Sequence, residues 1–130
     1  MAIELTCLAW AVILGLLHIF IAANLRTKEL GIEWNMSPRD GEDKTTSVLV
    51  ERLYRAQANF FETFPLFAAA VLLVAVTQNY TVYSQLGAIV YLVARVIYFP
   101  LYALGIPVAR SLVWITSIVG LLLVLAPLLF

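Results

Sequence analysis

The sequence predicts an all-α integral membrane protein, built as one four-helix transmembrane bundle over residues 1–130. Hydrophobic residues make up 63% of the chain and charged residues only 12%, and the mean hydropathy is +0.96. Four apolar stretches are long enough to span a bilayer, which takes about 20 residues of helix. The connections near 78–81 and 105–106 are short, so neighbouring helices are expected to pack antiparallel in a single bundle.

The predicted spans are 3–25, 46–77, 82–104 and 107–130. The second is longer than a bilayer requires, so its charged first turns are expected at or beyond the membrane interface. The connection 26–45 contains Gly, Pro and mixed charges, a composition typical of an irregular polar loop. Pro107 suits the first turn of the last helix, where its missing N–H costs nothing.

Composition also argues against several classes of protein. The formal net charge is zero and no basic run is present, so nucleic-acid binding is not expected. The single cysteine, Cys7, cannot form an internal disulfide or a metal cluster. His18 lies within the first span without matching metal ligands, so we expect it to form an interhelical hydrogen bond rather than to bind metal or catalyse.

Positive charge is concentrated on one side of the predicted bundle. Arg26, Lys28, Arg39 and Lys44 lie in the first connection, whereas 78–81 carries no positive residue. The positive-inside rule therefore places the first and third connections in the cytoplasm. The arginines of the last three spans then fall in the same cytoplasmic leaflet.

A stripe of polar residues crosses the second span. Arg52, Arg55, Asn59 and Glu62 are spaced by three, four and three residues, which at 100° per residue places them on one helix face. An ionisable group within a bilayer costs about 2.5–3.5 kcal/mol even on insertion scales, so this stripe predicts a functional site.

The third and fourth spans carry matching polar groups. Tyr91, Arg95, Tyr98 and Tyr102 share one face, and the last span begins with Arg110, Ser111 and Trp114. Arginines bind carboxylates in bidentate fashion, and Glu62 can accept a cationic amine. The pattern predicts a small, zwitterionic, peptide-like ligand. The alternative is that these side chains only hold the helices together, with Glu62 paired to an arginine.

Two sequence blocks resemble one family. The first is ERLYRAQAN at 51–59 followed by Glu62 and FPLF at 64–67, and the second is RVIYFPLY at 95–102 followed by Pro107 and Arg110-Ser111. Together with the four spans, they are similar to the MAPEG family, the membrane-associated proteins in eicosanoid and glutathione metabolism. The second span looks closest to the leukotriene C synthase branch, and the chain also resembles microsomal glutathione transferases. Its last span is similar to an uncharacterised bacterial branch.

The resemblance implies a homotrimer that holds glutathione between adjacent subunits at the cytoplasmic side. It implies that Glu62 lies near the γ-glutamyl amine, that Arg55 lies near a carboxylate, and that Arg110 stabilises the thiolate beside Ser111. Thr63 and Trp114 stand where other branches have tyrosine. The residues assigned to glutathione binding are Arg26, Arg52, Arg55, Gln57, Asn59, Glu62, Arg95, Tyr98 and Tyr102, and those assigned to catalysis are Arg110 and Ser111.

The function implied is a glutathione-dependent transferase or peroxidase that acts on lipophilic electrophiles or peroxides arriving from the bilayer. The location implied is a bacterial inner membrane, with the site facing the cytoplasm. Two alternatives remain open at this point: a non-enzymatic protein that binds lipid or glutathione, and a small proton-coupled exporter.

Overall fold

The computed structural model describes residues 1–38 and 46–130, and both parts are helical. Four of the described helices are long and apolar enough to cross a membrane, which confirms the predicted all-α architecture. The positively charged Arg39 and Lys44 lie outside the described residues. The helices are α1 (Ile3–Leu30), α2 (Ile32–Met36), α3 (Val48–Thr77), α4 (Val82–Ala103) and α5 (Pro107–Leu129).

The prediction of an irregular loop from residue 26 is wrong for its first part. Helix α1 continues to Leu30, and the short helix α2 follows Gly31, which has φ +95°. Hydropathy marks where a helix leaves the membrane, whereas hydrogen bonding decides where it ends. A contact between segments supports the extension, because the Glu29 carboxylate accepts from the backbone N–H of Ser47 at 2.7 Å and from its hydroxyl at 2.6 Å.

Local signals define the other helix ends. The Ser47 hydroxyl accepts from the backbone N–H of Val50 and caps α3. Thr81 and Ser84 form a reciprocal capping box at the start of α4. Pro107 occupies the first turn of α5, as predicted. These caps fix where each helix begins, and therefore which side chains meet across the bundle.

Helices α4 and α5 cross at two glycines. A Cβ added to Gly87 would lie 2.5 Å from the carbonyl oxygen of Gly120, and one added to Gly120 would lie 2.7 Å from the carbonyl oxygen of Gly87. Small residues allow this close approach of backbones in membrane helices. The crossing holds α5 against α4 and so sets where the first turn of α5 lies.

Tyr91 lies in the hydrophobic core, although the sequence pattern groups it with the polar residues of the third span. The ring of Tyr91 stacks on Phe67 with centroids 4.0 Å apart, and its hydroxyl lies 2.9 Å from that of Thr63. Both Tyr91 and Thr63 are buried. The tyrosine stripe of α4 is therefore divided. Tyr91 lies in the core, and Tyr98 and Tyr102 lie towards the end of the bundle where α3 and α5 begin. We call this end the arginine end.

His18 differs from its prediction. Its ring is fully buried and is stacked on Phe99 at 3.9 Å and on Phe60 at 4.9 Å. Neither ring nitrogen has a hydrogen-bond partner among the described residues. The predicted interhelical hydrogen bond at His18 is therefore wrong for this part of the chain, where aromatic stacking between helices takes its place.

Candidate functional site

Asn59 and Arg95 join α3 to α4 at the base of the site. The Arg95 side chain is 0% exposed, and its Nη1 donates to the side-chain oxygen of Asn59 at 3.0 Å. Its Cζ lies 4.3 Å from the ring centroid of Tyr98 and 5.5 Å from that of Phe60. A buried guanidinium needs such partners, because uncompensated charge is costly away from water. Arg95 therefore orients Asn59 and Tyr98 from behind.

The aromatic contacts continue from α4 to α5. The rings of Tyr98 and Tyr102 lie 5.6 Å apart, and the Cζ of Arg110 lies 4.8 Å from the centroid of Tyr102. An unbroken series of contacts thus runs from Asn59 through Arg95 and both tyrosines to Arg110. The periodicity of α4 and the position of Arg110 in the first turn of α5 bring these side chains together, as the sequence predicts.

This series lines a cavity of about 310 Å³, which we call the first cavity. Its size is at the lower end of the range of small-molecule sites. One part of its wall is polar, and α5 contributes an apolar part. The lining residues are Asn59, Tyr98, Tyr102, Arg110, Ser111, Trp114 and Ile115.

The first turn of α5 makes the first cavity suitable for an anion. Arg110 lies in that turn, where unpaired backbone N–H groups and the helix dipole add positive potential. The Ser111 hydroxyl donates to the Pro107 carbonyl at 3.2 Å, and its oxygen keeps free acceptor capacity. To donate to a bound anion, that hydroxyl has to rotate away from the carbonyl.

A second cavity of about 430 Å³ lies at the same end of the bundle. The Arg26 guanidinium is held between two aromatic rings, 4.8 Å from the centroid of Tyr54 and 5.3 Å from that of Trp34. The Tyr54 hydroxyl is buried and has no hydrogen-bond partner among the described residues. The lining residues are Arg26, Leu30, Trp34, Thr46, Val50, Glu51, Tyr54 and Arg55.

Arg55 and Glu62 are accessible from outside the subunit. Both are exposed, although Glu62 lies roughly 20 Å along α3 from its start, at membrane depth. Among the described residues neither takes part in an ion pair. A pairing of Glu62 with Arg55 or Arg95 within one subunit, which the sequence allowed, is therefore not formed in the described part of the chain. Gln57 has a buried side-chain oxygen that lacks a hydrogen-bond partner among the described residues.

Arg52 packs elsewhere. Its guanidinium lies against Gly105 in the turn between α4 and α5, so that a Cβ on Gly105 would be 2.6 Å from its Cζ. Arg52 lines neither of the two cavities described above.

The structure thus divides the predicted site residues into groups. Asn59, Tyr98, Tyr102, Arg110 and Ser111 surround the first cavity, and Arg26 and Arg55 surround the second. Tyr54 and Trp34 were not assigned to the site from the sequence. The signal available for Tyr54 was its place beside Arg55 in the polar motif, whereas no pattern linked Trp34 to Arg26.

Comparison with known proteins agrees with these features. The family model for the MAPEG family matches residues 7–130, nearly the whole chain. A search of curated proteins gives no significant match. Four spanning helices and a match of this extent support an integral, multi-pass membrane protein, and the family includes glutathione transferases and peroxidases as well as non-enzymatic members. The chain belongs to the MAPEG family.

Proposed function

We propose that the protein binds glutathione at its arginine end and uses the glutathione thiolate to attack, or to reduce, lipophilic electrophiles or peroxides. The observation that carries this proposal is the continuous contact series from Asn59 to Arg110, which ends at a cation in the first turn of α5 beside an open cavity. Family membership is consistent with a glutathione-related membrane enzyme.

The thiol is the group that this site has to activate. A free thiol has a pKa of about 8.5, so only a few per cent is ionised near neutral pH. Lowering that pKa by two units requires about 2.7 kcal/mol of preferential stabilisation of the thiolate. The Arg110 guanidinium and the N-terminus of α5 can supply this in a partly dehydrated interface.

The remaining groups would orient glutathione. Arg55 would bind a carboxylate, Glu62 the γ-glutamyl amine, and Asn59 and the tyrosines would supply neutral hydrogen bonds. Gln57 has a buried oxygen available for a donor. Ser111 would donate to the sulfur after rotating away from the Pro107 carbonyl. The apolar part of the wall, at Ile115, would admit a hydrophobic co-substrate from the lipid.

We propose further that the active form is a homotrimer, in which the first cavity of one subunit meets the second cavity of its neighbour. Two observations support the association. Glu62 is exposed on α3 at a depth where an uncovered charge costs several kcal/mol, and Arg26 is held between two rings at the arginine end of the bundle. Light scattering in detergent, corrected for bound detergent, tests this: a monomer would contradict it.

Turnover measurements test the proposed activity. Purified protein is assayed with glutathione and a panel of apolar electrophiles and lipid hydroperoxides, and we expect glutathione-dependent product formation that Arg110→Ala abolishes. Glutathione binding without turnover on any member of the panel would contradict the enzymatic role and favour a binding protein.

The cytoplasmic orientation is tested by labelling Ser37→Cys in a Cys7→Ser background with a membrane-impermeant reagent.

A proton-coupled exporter is the second candidate, because the exposed Glu62 makes no ion pair among the described residues. A carboxylate at membrane depth without a partner can change its protonation state during transport. Transport into liposomes driven by a pH gradient, and lost in Glu62→Gln, would support the exporter. Failure of a gradient to drive uptake of a panel of cationic drugs would leave the enzyme as the better account.

A further inference from the structure

The turn between α4 and α5 connects two walls of the first cavity. The backbone N–H of Gly105 donates to the Tyr102 carbonyl at 3.0 Å, and that of Ile106 donates to the Leu101 carbonyl at 3.1 Å. Pro107 then starts α5, and Arg110 follows in its first turn. Tyr102 and Arg110 therefore flank the same short turn, so a displacement of the turn would move both side chains of the cavity.

Arg52 supports this turn from α3. A Cβ on Gly105 would lie 2.6 Å from Cζ, 2.8 Å from Nη2 and 2.9 Å from Nη1 of Arg52. Because these distances are nearly equal, the flat face of the guanidinium faces the position that a Cβ of Gly105 would occupy. A Cβ at this position would force the Arg52 guanidinium to move, and Gly105 has φ +72°, in the left-handed region that favours glycine.

The geometry points to Arg52 as a positioning residue that holds the α4–α5 turn against α3 and thereby sets Arg110 over Tyr102. This inference rests on the proposed function, in which Arg110 stabilises the thiolate. It replaces direct glutathione contact as the role of Arg52, because Arg52 lines neither cavity. A planar guanidinium suits this contact and an ammonium does not, since only the former can lie flat on a backbone.

The chain offers a matched control. Gly31 also has a positive φ, +95°, but a Cβ there would meet nothing within 4 Å. Both Gly31→Ala and Gly105→Ala place a Cβ at a positive φ, and Gly31, at φ +95° and ψ +154°, lies in a region that is essentially restricted to glycine. The control therefore carries backbone strain of its own, and only Gly105→Ala displaces Arg52. In an Arg52→Ala background, Gly105→Ala should add no further effect beyond that strain, because the group it displaces is gone.

The first readout is the pH titration of the bound thiol, followed by thiolate ultraviolet absorbance, together with the glutathione Kd from calorimetry. We expect Gly105→Ala and Arg52→Ala each to raise the titration midpoint by about one pH unit, a tenfold loss of thiolate below the midpoint. We expect Kd to change by less than about threefold, well under the tenfold that 1.4 kcal/mol would give. Gly31→Ala should leave both quantities unchanged, and Arg52→Lys should behave like Arg52→Ala.

A second readout does not require glutathione. Trp114 lines the first cavity one turn after Arg110, and its resonance in fluorotryptophan-labelled protein is assigned by comparison with Trp114→Phe. We expect this resonance to shift or broaden in Gly105→Ala and Arg52→Ala but not in Gly31→Ala.

The outcomes separate the two proposals. A normal midpoint with a large rise in Kd in Arg52→Ala would show that Arg52 contacts the ligand and would overturn the positioning role. An unchanged Trp114 resonance in both variants would also overturn it. If wild-type protein gave no thiolate signal at all, the proposed function would fail, and the fluorine spectra alone would still decide whether Arg52 holds the turn.

Discussion

The hydrogen bond from Arg95 to Asn59 should contribute measurably to both stability and binding. Arg95 is 0% exposed, and its Nε and Nη2 have no hydrogen-bond partner among the described residues. The 3.0 Å bond from Nη1 to Asn59 is therefore the polar contact that Asn59→Ala removes from a buried cation. The variant leaves the guanidinium with its aromatic neighbours only.

The magnitude follows from two bounds. Interhelical hydrogen bonds in membranes average about 0.6 kcal/mol and reach about 1.7 kcal/mol, whereas hydrogen bonds to charged groups contribute about 1.5–3 kcal/mol. For a fully buried cation we expect Asn59→Ala to lower the free energy of unfolding by about 2 kcal/mol. Asn24→Ala, at an exposed position of α1, is the matched control and should change it by less than about 0.5 kcal/mol.

The assay is equilibrium unfolding of the protein in mixed micelles by a denaturing detergent, followed by far-ultraviolet circular dichroism. Asn59→Asp should keep at least wild-type stability, because a carboxylate accepts the same bond and pairs with the charge. The double variant Asn59→Leu with Arg95→Met should recover most of the lost stability, since apolar replacement of a buried polar pair is often neutral, yet it should bind glutathione poorly. A loss in Asn59→Ala no larger than in Asn24→Ala would refute the reasoning.

Three further predictions concern other parts of the molecule. Arg55→Ala should weaken glutathione binding by roughly 10- to 100-fold, the change in affinity expected for the loss of one hydrogen bond to a charged group. Lys28→Ala should leave the affinity unchanged. Equal glutathione affinities of the two variants in calorimetry would contradict this. Gly87→Ala should destabilise the fold by more than the 1–3 kcal/mol typical of overpacking, since its Cβ would meet the backbone of α5. Gly15→Ala, whose Cβ would lie 3.1 Å from a Phe60 ring atom, should cost less. The reverse order in detergent unfolding would be inconsistent with the α4–α5 crossing. Thr63→Val should cost about 1–3 kcal/mol by leaving the buried Tyr91 hydroxyl without its partner, and the cost should disappear in a Tyr91→Phe background; an undiminished cost there would disprove the contact.

Helix periodicity and hydropathy predicted much of the fold because a membrane leaves few alternatives for an apolar chain. The limits of the last three spans agree with α3, α4 and α5 to within two residues. The end of α1 could not be found in this way, because residues 26–30 are largely polar and lie beyond the apolar stretch, where hydropathy no longer reports on helicity. The hydrogen bonds from Ser47 to Glu29 join segments that are distant in sequence.

For the site, spacing identified the residues but not their depth. Tyr91, Arg95 and Tyr98 share one face of α4, yet Tyr91 packs in the core, Arg95 lies behind the cavity and only Tyr98 lines it. Which of them reaches the cavity depends on how closely α3 and α5 pack against α4, and the contact of Gly87 with Gly120 sets the approach of α5. The contact of Arg52 with Gly105 had no sequence signal, because it joins a helix to a turn on another part of the chain.

The central claim is that Arg110 holds glutathione as a thiolate, and thiolate absorbance on adding glutathione to the purified protein tests it most directly. A lowered thiol pKa means that thiolate appears as the pH rises through the bound value, below the roughly 8.5 of a free thiol. The predicted result is a saturable thiolate signal near neutral pH in wild-type protein that is lost in Arg110→Ala while calorimetric binding persists. An equal signal in Arg110→Ala, or none in wild-type protein saturated with glutathione, would contradict the account.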